Sequence, residues 1–232
     1  LYLVYGNLTR YYKHMYFESR SQAGKILADQ LVAKYRYENC AVVALSNGGV
    51  VVGEQIAAQL HCVLMLLVSQ DIEIPGEGMN FGAVSQTGDF TYNDEFSAGE
   101  IDEYTSEFHG YLAEKKRETY SSLNRLIGDG GTVDKDMLKD RVVVLVSDGF
   151  ANTASVGVAL DFLKPIRILR LVVASPVASV AVVDRLHITA DELHLLDVKE
   201  NFLGVDHYYE DNNVPTLQQS IDKISQIILN WR

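Results

Sequence analysis

Apolar positions along this chain follow two alternating patterns: stretches with helical spacing and short uninterrupted runs. Ala23, Leu27 and Leu31, spaced by four, predict an amphipathic helix over residues 19–35, with Ser19 or Ser21 as N-cap. Residues 41–45 then read as a buried strand, Ser46-Asn47-Gly48-Gly49 as a turn, 50–60 as a helix and 62–68 as a second apolar strand. Residues 71–80 carry Pro75, Gly76 and Gly78 and read as a loop. Residues 83–86 and 89–92 flank Thr87-Gly88 like the arms of a hairpin. Ile101, Tyr104, Phe108, Leu112, Leu123 and Leu126 keep helical spacing over 99–127, and a glycine cluster at 128–131 marks a junction.

The alternation then resumes. Residues 142–146 form a strand, 147–154 a loop, 155–163 a helix ended by Pro165, and 166–174 a strand. A helix over 177–186, a strand over 192–197 and a closing amphipathic helix over 217–231 complete the pattern. Apolar strands buried on both faces and alternating with helices indicate an α/β fold with a parallel sheet. At 232 residues and 47% hydrophobic content, the chain is sized for one domain with a small appendage.

Composition narrows the function classes. A net charge of −11 argues against nucleic-acid binding, because the one basic cluster, Lys115-Lys116-Arg117, lies beside Glu114 and Glu118 on a solvated helix face. No apolar run approaches the length of a membrane span, and apolar residues 1–5 lack the flanks of a signal peptide. Cys40 and Cys62 border apolar runs without metal-type spacing, so buried free thiols and a reducing cytoplasm are expected. The triplet Asn7-Leu8-Thr9 matches a glycosylation acceptor, a pattern frequent by chance and unsupported by any other mark of secretion. The six histidines show no ligand spacing.

Ligands of open parallel sheets bind beyond the carboxyl ends of the strands, which directs attention to the segments after Leu45 and Val146. Gly48 and Gly49 can present consecutive amides to an anion at the start of the next helix, or serve only as a tight turn. In the second segment Asp148 can accept sugar hydroxyls, while Asn152, Thr153, Ser155 and their amides can hold a phosphate. The plainer alternative is that Asp148 ends a strand and Thr153 or Ser155 caps a helix. A serine hydrolase elbow at Ser46 requires glycine where Ala44 stands; only Gly48 fits that pattern.

Six segments, residues 17–24, 45–50, 81–84, 142–155, 176–179 and 202–209, occur in an order that resembles a bacterial family of type I phosphoribosyltransferases. The resemblance implies a Rossmann-like parallel sheet flanked by helices, with residues 71–127 as a hood of hairpin and long helix inserted into a single domain spanning 1–232. It further implies that Ser46, Asn47, Gly48 and Gly49 bind the diphosphate. Ser147, Asp148, Gly149, Phe150, Ala151, Asn152, Thr153, Ala154 and Ser155 would bind the ribose 5-phosphate, with Asp148 as the catalytic acid. Active members read Pro-Arg-Gly-Gly in the first loop and Asp-Asp-Gly-x-Ala-Thr-Gly-Ala-Thr in the second. Here Asn47 replaces the arginine, Ser147 the first acid and Asn152-Thr153 the Thr-Gly, while Ser69-Gln70 stands where an Arg-Lys pair is common.

The implied function is binding of phosphoribosyl diphosphate or a related sugar phosphate, with transfer to an unassigned acceptor weakened or lost. The alternative is a non-catalytic phosphosugar or nucleotide sensor or partner subunit. Magnesium (Mg2+) is implied only through the substrate's oxygens. The expected partner is a phosphorylated sugar or nucleotide, neither nucleic acid nor membrane, and a homo-oligomer is left open. Tyr92, Phe96 and Tyr104 are candidates for stacking on an acceptor ring, against the plainer reading that they form the core of the hood.

Overall fold

A computed structural model describes residues 16–93, 96–127 and 133–229. Expectations concerning residues 1–5, the Asn7 triplet, His14, the 128–131 glycines and Trp231 lie outside the described residues. In chain order the elements are α1 (Arg20–Tyr35), β1 (Cys40–Ala44), α2 (Asn47–Leu60), β2 (Val63–Leu66), β3 (Ser69–Glu73), β4 (Asn80–Ser85), β5 (Phe90–Tyr92), α3 (Ala98–Glu107) and α4 (His109–Ile127). There follow β6 (Val142–Val146), α5 (Thr153–Leu163), β7 (Arg170–Ser179), α6 (Val180–Thr189), β8 (Glu192–Lys199) and α7 (Leu217–Leu229). They divide into two compact units, one drawn from Leu1–Leu66, Val133–Ala151 and Arg167–Arg232, the other from Leu67–Thr132 and Asn152–Ile166.

The first unit is an open parallel sheet of strand order β2-β1-β6-β7-β8, flanked by helices. All five residues of β1 and all five of β6 are buried, as a sheet covered on both faces requires. The chain leaves β1 toward β2 on one side and returns to β6 on the other. The order therefore reverses between β1 and β6, whose last residues, Ala44 and Val146, pair in register. A reversal of this kind opens a crevice at the carboxyl ends of the two strands. Helix α1 is capped by Ser19, whose hydroxyl accepts from the Gln22 amide, and its buried stripe includes Arg20, Ala23, Leu27, Leu31 and Tyr35.

The second unit packs the antiparallel sheet β3-β4-β5 with α3, α4 and α5. Ile72, Ile74, Phe81, Val84, Leu112 and Leu123 form its core. Phe81 is the hub, meeting Tyr92, Phe96 and Tyr104 edge-on at centroid distances of 5.4, 5.6 and 6.0 Å. These three rings therefore serve as core, the plainer of their two readings.

Several boundaries differ from the sequence expectation, each for a local reason. Residues 71–73, expected in a loop, belong to β3 (Ser69–Glu73), because Ile72 is buried between exposed Asp71 and Glu73, and only the following Pro75–Gly78 turn carries loop composition. The single helix expected over 99–127 breaks at Phe108 (φ −104°, ψ 21°), just before Gly110. Strand β7 runs on to Ser179, so Val177 and Ala178 are strand residues, held on one side by Asp197 and Val198 and on the other by a bridge from Phe150.

At the amino end of β8, His194 is 5% exposed and both its ring nitrogens lack a hydrogen-bond partner among the described residues. Glu192 lies 3.5 Å from its Nε2 and also meets Lys34 and Arg170. Burial pushes the His194 pKa below its ordinary value, outweighing the nearby Glu192 carboxylate that would raise it. The unfolded chain therefore takes up this proton more readily than the native state. The stability contributed by neutral His194 is complete above the unfolded value of about 6.5 and is lost as pH falls below it, by at most about 1.4 kcal/mol per pH unit. Urea unfolding at pH 7.5 and 5.5 is expected to show a loss of stability in the wild type that is smaller in His194→Gln.

Candidate active site at the strand reversal

Two loops meet at the reversal, and their side chains are bonded to each other. Ser46 follows β1 and caps α2: its Oγ accepts from the Gly49 amide at 2.8 Å and donates to Asp148 Oδ1 at 2.6 Å. The other carboxylate oxygen, Asp148 Oδ2, accepts from Arg20 Nε at 2.7 Å. Arg20 Nη2 reaches Asp206 Oδ1, and the guanidinium carbon lies 4.4 Å over the Tyr209 ring. Tyr209 in turn donates its hydroxyl to the Asp148 carbonyl. Arg20 and Asp148 are 3% and 6% exposed, so the ion pair is removed from water.

The charge states follow from these partners. Burial opposes the charge on Arg20, but the bond and charge of Asp148 and the bond to Asp206 outweigh it and raise its pKa. Burial, reinforced by the Asp148 charge, raises the Tyr209 hydroxyl well above the ordinary tyrosine range and keeps it a donor.

The glycines have a steric role. Gly48 and Gly49 are not a turn but the first turn of α2, and among the described residues the positive-φ glycines lie elsewhere, at Gly76, Gly78, Gly88 and Gly204. A Cβ on Gly48 would fall 1.9 Å from Asp148 Oδ2 and 2.7 Å from Arg20 Nε, so glycine is needed to admit the ion pair. Asn47 is the first helical residue, half-buried, and its Oδ1 has no hydrogen-bond partner among the described residues.

Past β6, Ser147 is buried and exchanges hydrogen bonds with the backbone of Gly149. A side chain at Gly149 would meet Val205 at 3.0 Å, and Phe150 is buried against Ala178 while Ala151 is exposed. The rest of the predicted phosphate loop belongs to the second unit. There Asn152, not Thr153 or Ser155, caps α5 through the Ala154 amide, and Thr153 donates to Asn93 at 3.4 Å. Ser155 is half-buried in the first turn.

The structure thus brings Ser46, Gly48, Gly49 and Asp148 together and adds three residues to which the sequence reading gave no role: Arg20, Asp206 and Tyr209. A signal for Arg20 was present. It falls on the apolar stripe of α1, at positions 20, 23, 27 and 31, where a cation demands a buried counter-charge. Ser46 bonds a carboxylate and a backbone amide.

The donor set does not fit a magnesium ion held by the protein. Both oxygens of Asp148 are bonded, one of them to a guanidinium, and no cluster of three His, Cys, Asp or Glu suited to a metal occurs among the described residues. Cys40 and Cys62 are buried free thiols, with pKa values pushed up by burial to about 11 and about 12. No described helix is long and apolar enough to cross a membrane.

The fold and the cluster at its strand reversal define a doubly wound α/β protein with a polar switch-point site. The chain belongs to the same family as the protein TT1426 of Thermus thermophilus: the crystal structure of that protein is 30% identical in sequence and superposes with a TM-score of 0.68, over 94% of this chain and 99% of that one. The chain is also 27% identical over 195 residues, 83% of its length, to two Mycobacterium tuberculosis proteins. Their names are "Putative phosphoribosyl transferase MT0597" and "Putative phosphoribosyl transferase Rv0571c". It spans 43% of the length of each. No protein-family model matches.

Proposed function

We propose that this chain is a phosphoribosyltransferase-like protein that binds phosphoribosyl diphosphate, or a related sugar phosphate, at the carboxyl ends of β1 and β6. The observation that carries this reading is a cluster drawn from segments distant in sequence: Arg20, Ser46 and Tyr209 bond Asp148, and Arg20 also holds Asp206. A cluster bonded across the strand reversal lies where this fold class places its ligand. The names of the M. tuberculosis relatives point to the same ligand class. The start of α5, with Asn152, Thr153, Ala154 and Ser155, is by its own backbone geometry favourable to an anion.

Binding without efficient transfer is the form of this function we favour. Transfer requires stabilisation of departing diphosphate, yet Asn47 stands where active phosphoribosyltransferases carry arginine, and Asp148 is tied to Arg20 and Ser46. Any magnesium would arrive on the ligand's own oxygens. Calorimetric titration with phosphoribosyl diphosphate, with and without magnesium, tests the reading without knowledge of the acceptor. Saturable binding with little dependence on magnesium is expected. Tight binding seen only with magnesium would favour a transfer enzyme, and no binding under either condition would overturn the proposal.

A further inference from the structure

The acid that sequence reasoning assigns to the ligand, Asp148, is the one least able to reach it. Its side chain is 8% exposed, and each carboxylate oxygen is committed, Oδ1 to Ser46 and Oδ2 to Arg20. Asp206 is placed differently. Its side chain is 70% exposed, and it meets Arg20 through Oδ1 alone. It sits in a short turn, Val205–Tyr208, that follows Gly204 at φ +118°. A second feature marks the same spot: Arg20 Nη1 is buried without a hydrogen-bond partner among the described residues, on the guanidinium whose other two nitrogens hold Asp148 and Asp206. A buried cationic donor left unmatched beside an exposed carboxylate is costly unless a ligand completes it.

We propose that Asp206 presents the carboxylate that accepts the vicinal hydroxyls of the sugar phosphate, and that Arg20 is the positioning residue that fixes Asp206 and Asp148 in one geometry. The inference rests on the sugar-phosphate reading of this site and assigns its hydroxyl contact to a residue outside both predicted loops. Asp148 then serves as the buried anchor of Arg20. Ser46, which donates to Asp148 and accepts from Gly49, ties that anchor to the start of α2.

The test compares ribose 5-phosphate with 2-deoxyribose 5-phosphate, by titration, on wild type, Asp206→Asn, Asp206→Ala and Asp148→Asn, with a melting curve for each. A hydrogen bond to a charged acceptor separates two such ligands by roughly ten- to a hundredfold. The wild type is expected to prefer ribose 5-phosphate by about tenfold or more, and both Asp206 variants to bind the two sugars alike. A ratio of affinities is insensitive to a uniform loss of binding, so a merely structural role for Asp206 would leave it unchanged. If the preference survives in both Asp206 variants and vanishes in Asp148→Asn, or if the wild type binds both sugars equally, the assignment is overturned while the sugar-phosphate reading stands. A wild type that binds neither sugar overturns both.

Discussion

Arg20→Met is expected to cost about 3 to 5 kcal/mol of folding stability, because it leaves the Asp148 carboxylate buried without its cation. The exposed ion pairs of this protein, such as Lys115 with Glu118, provide the contrast: solvent screens them, and their removal is expected to leave stability nearly unchanged. The loss at Arg20 does not measure what the pair contributes over apolar packing, since much of it is the penalty of the stranded charge. The double variant Arg20→Met with Asp148→Asn removes that charge and should recover at least about 1 kcal/mol relative to Arg20→Met alone. Urea unfolding of the wild type, both single variants and the double variant gives the coupling. If the two single losses simply add, the residues are not one unit and the ion pair does not hold α1 to the loop after β6.

Ser147→Asp is the change that recreates the paired acids of active phosphoribosyltransferases, yet it is expected to destabilise by about 3 kcal/mol. Ser147 is 5% exposed and bonded to the Gly149 backbone, and the nearby guanidinium is already shared by Asp148 and Asp206. A second buried carboxylate would meet the like charge of the neighbouring Asp148, which already engages Arg20. Asn47→Arg is a different case. It replaces a half-buried residue in the first turn of α2 and conflicts only with the positive helix end, a cost below about 1 kcal/mol. Titration with phosphoribosyl diphosphate is expected to show roughly tenfold tighter binding for Asn47→Arg and none of this gain for Ser147→Asp. A stable Ser147→Asp protein that binds more tightly would mean that the second loop adopts another backbone when the ligand is present.

The sheet was legible in the sequence because its strands are buried on both faces, and nothing but uninterrupted apolar runs such as Val142-Val-Val-Leu-Val146 satisfies that environment. Strand β3 was not, because only Ile72 is buried among the polar residues of Ser69–Glu73, and Pro75, Gly76 and Gly78 dominate the window around it. The start of α2 was misread for a related reason. Glycine suggests a turn, but at Gly48 its lack of a side chain answers a contact with a residue a hundred positions away in sequence. The candidate site was half legible. Ser46 and Asp148 lie at strand ends, where topology directs attention, whereas Arg20, Asp206 and Tyr209 become meaningful only once the fold brings the residue 17–24 and 202–209 segments together through the bridge between Phe17 and Tyr209.

The central claim, that the cluster around Asp148 is the sugar-phosphate site, is tested most directly by titrating phosphoribosyl diphosphate into nitrogen-15-labelled protein and following assigned resonances residue by residue. The amides of Gly48, Gly49 and Gly149 and the side-chain Nε of Arg20 are predicted to shift together along one saturating curve. Saturable shifts confined to residues elsewhere, with these four signals unmoved, would contradict the claim.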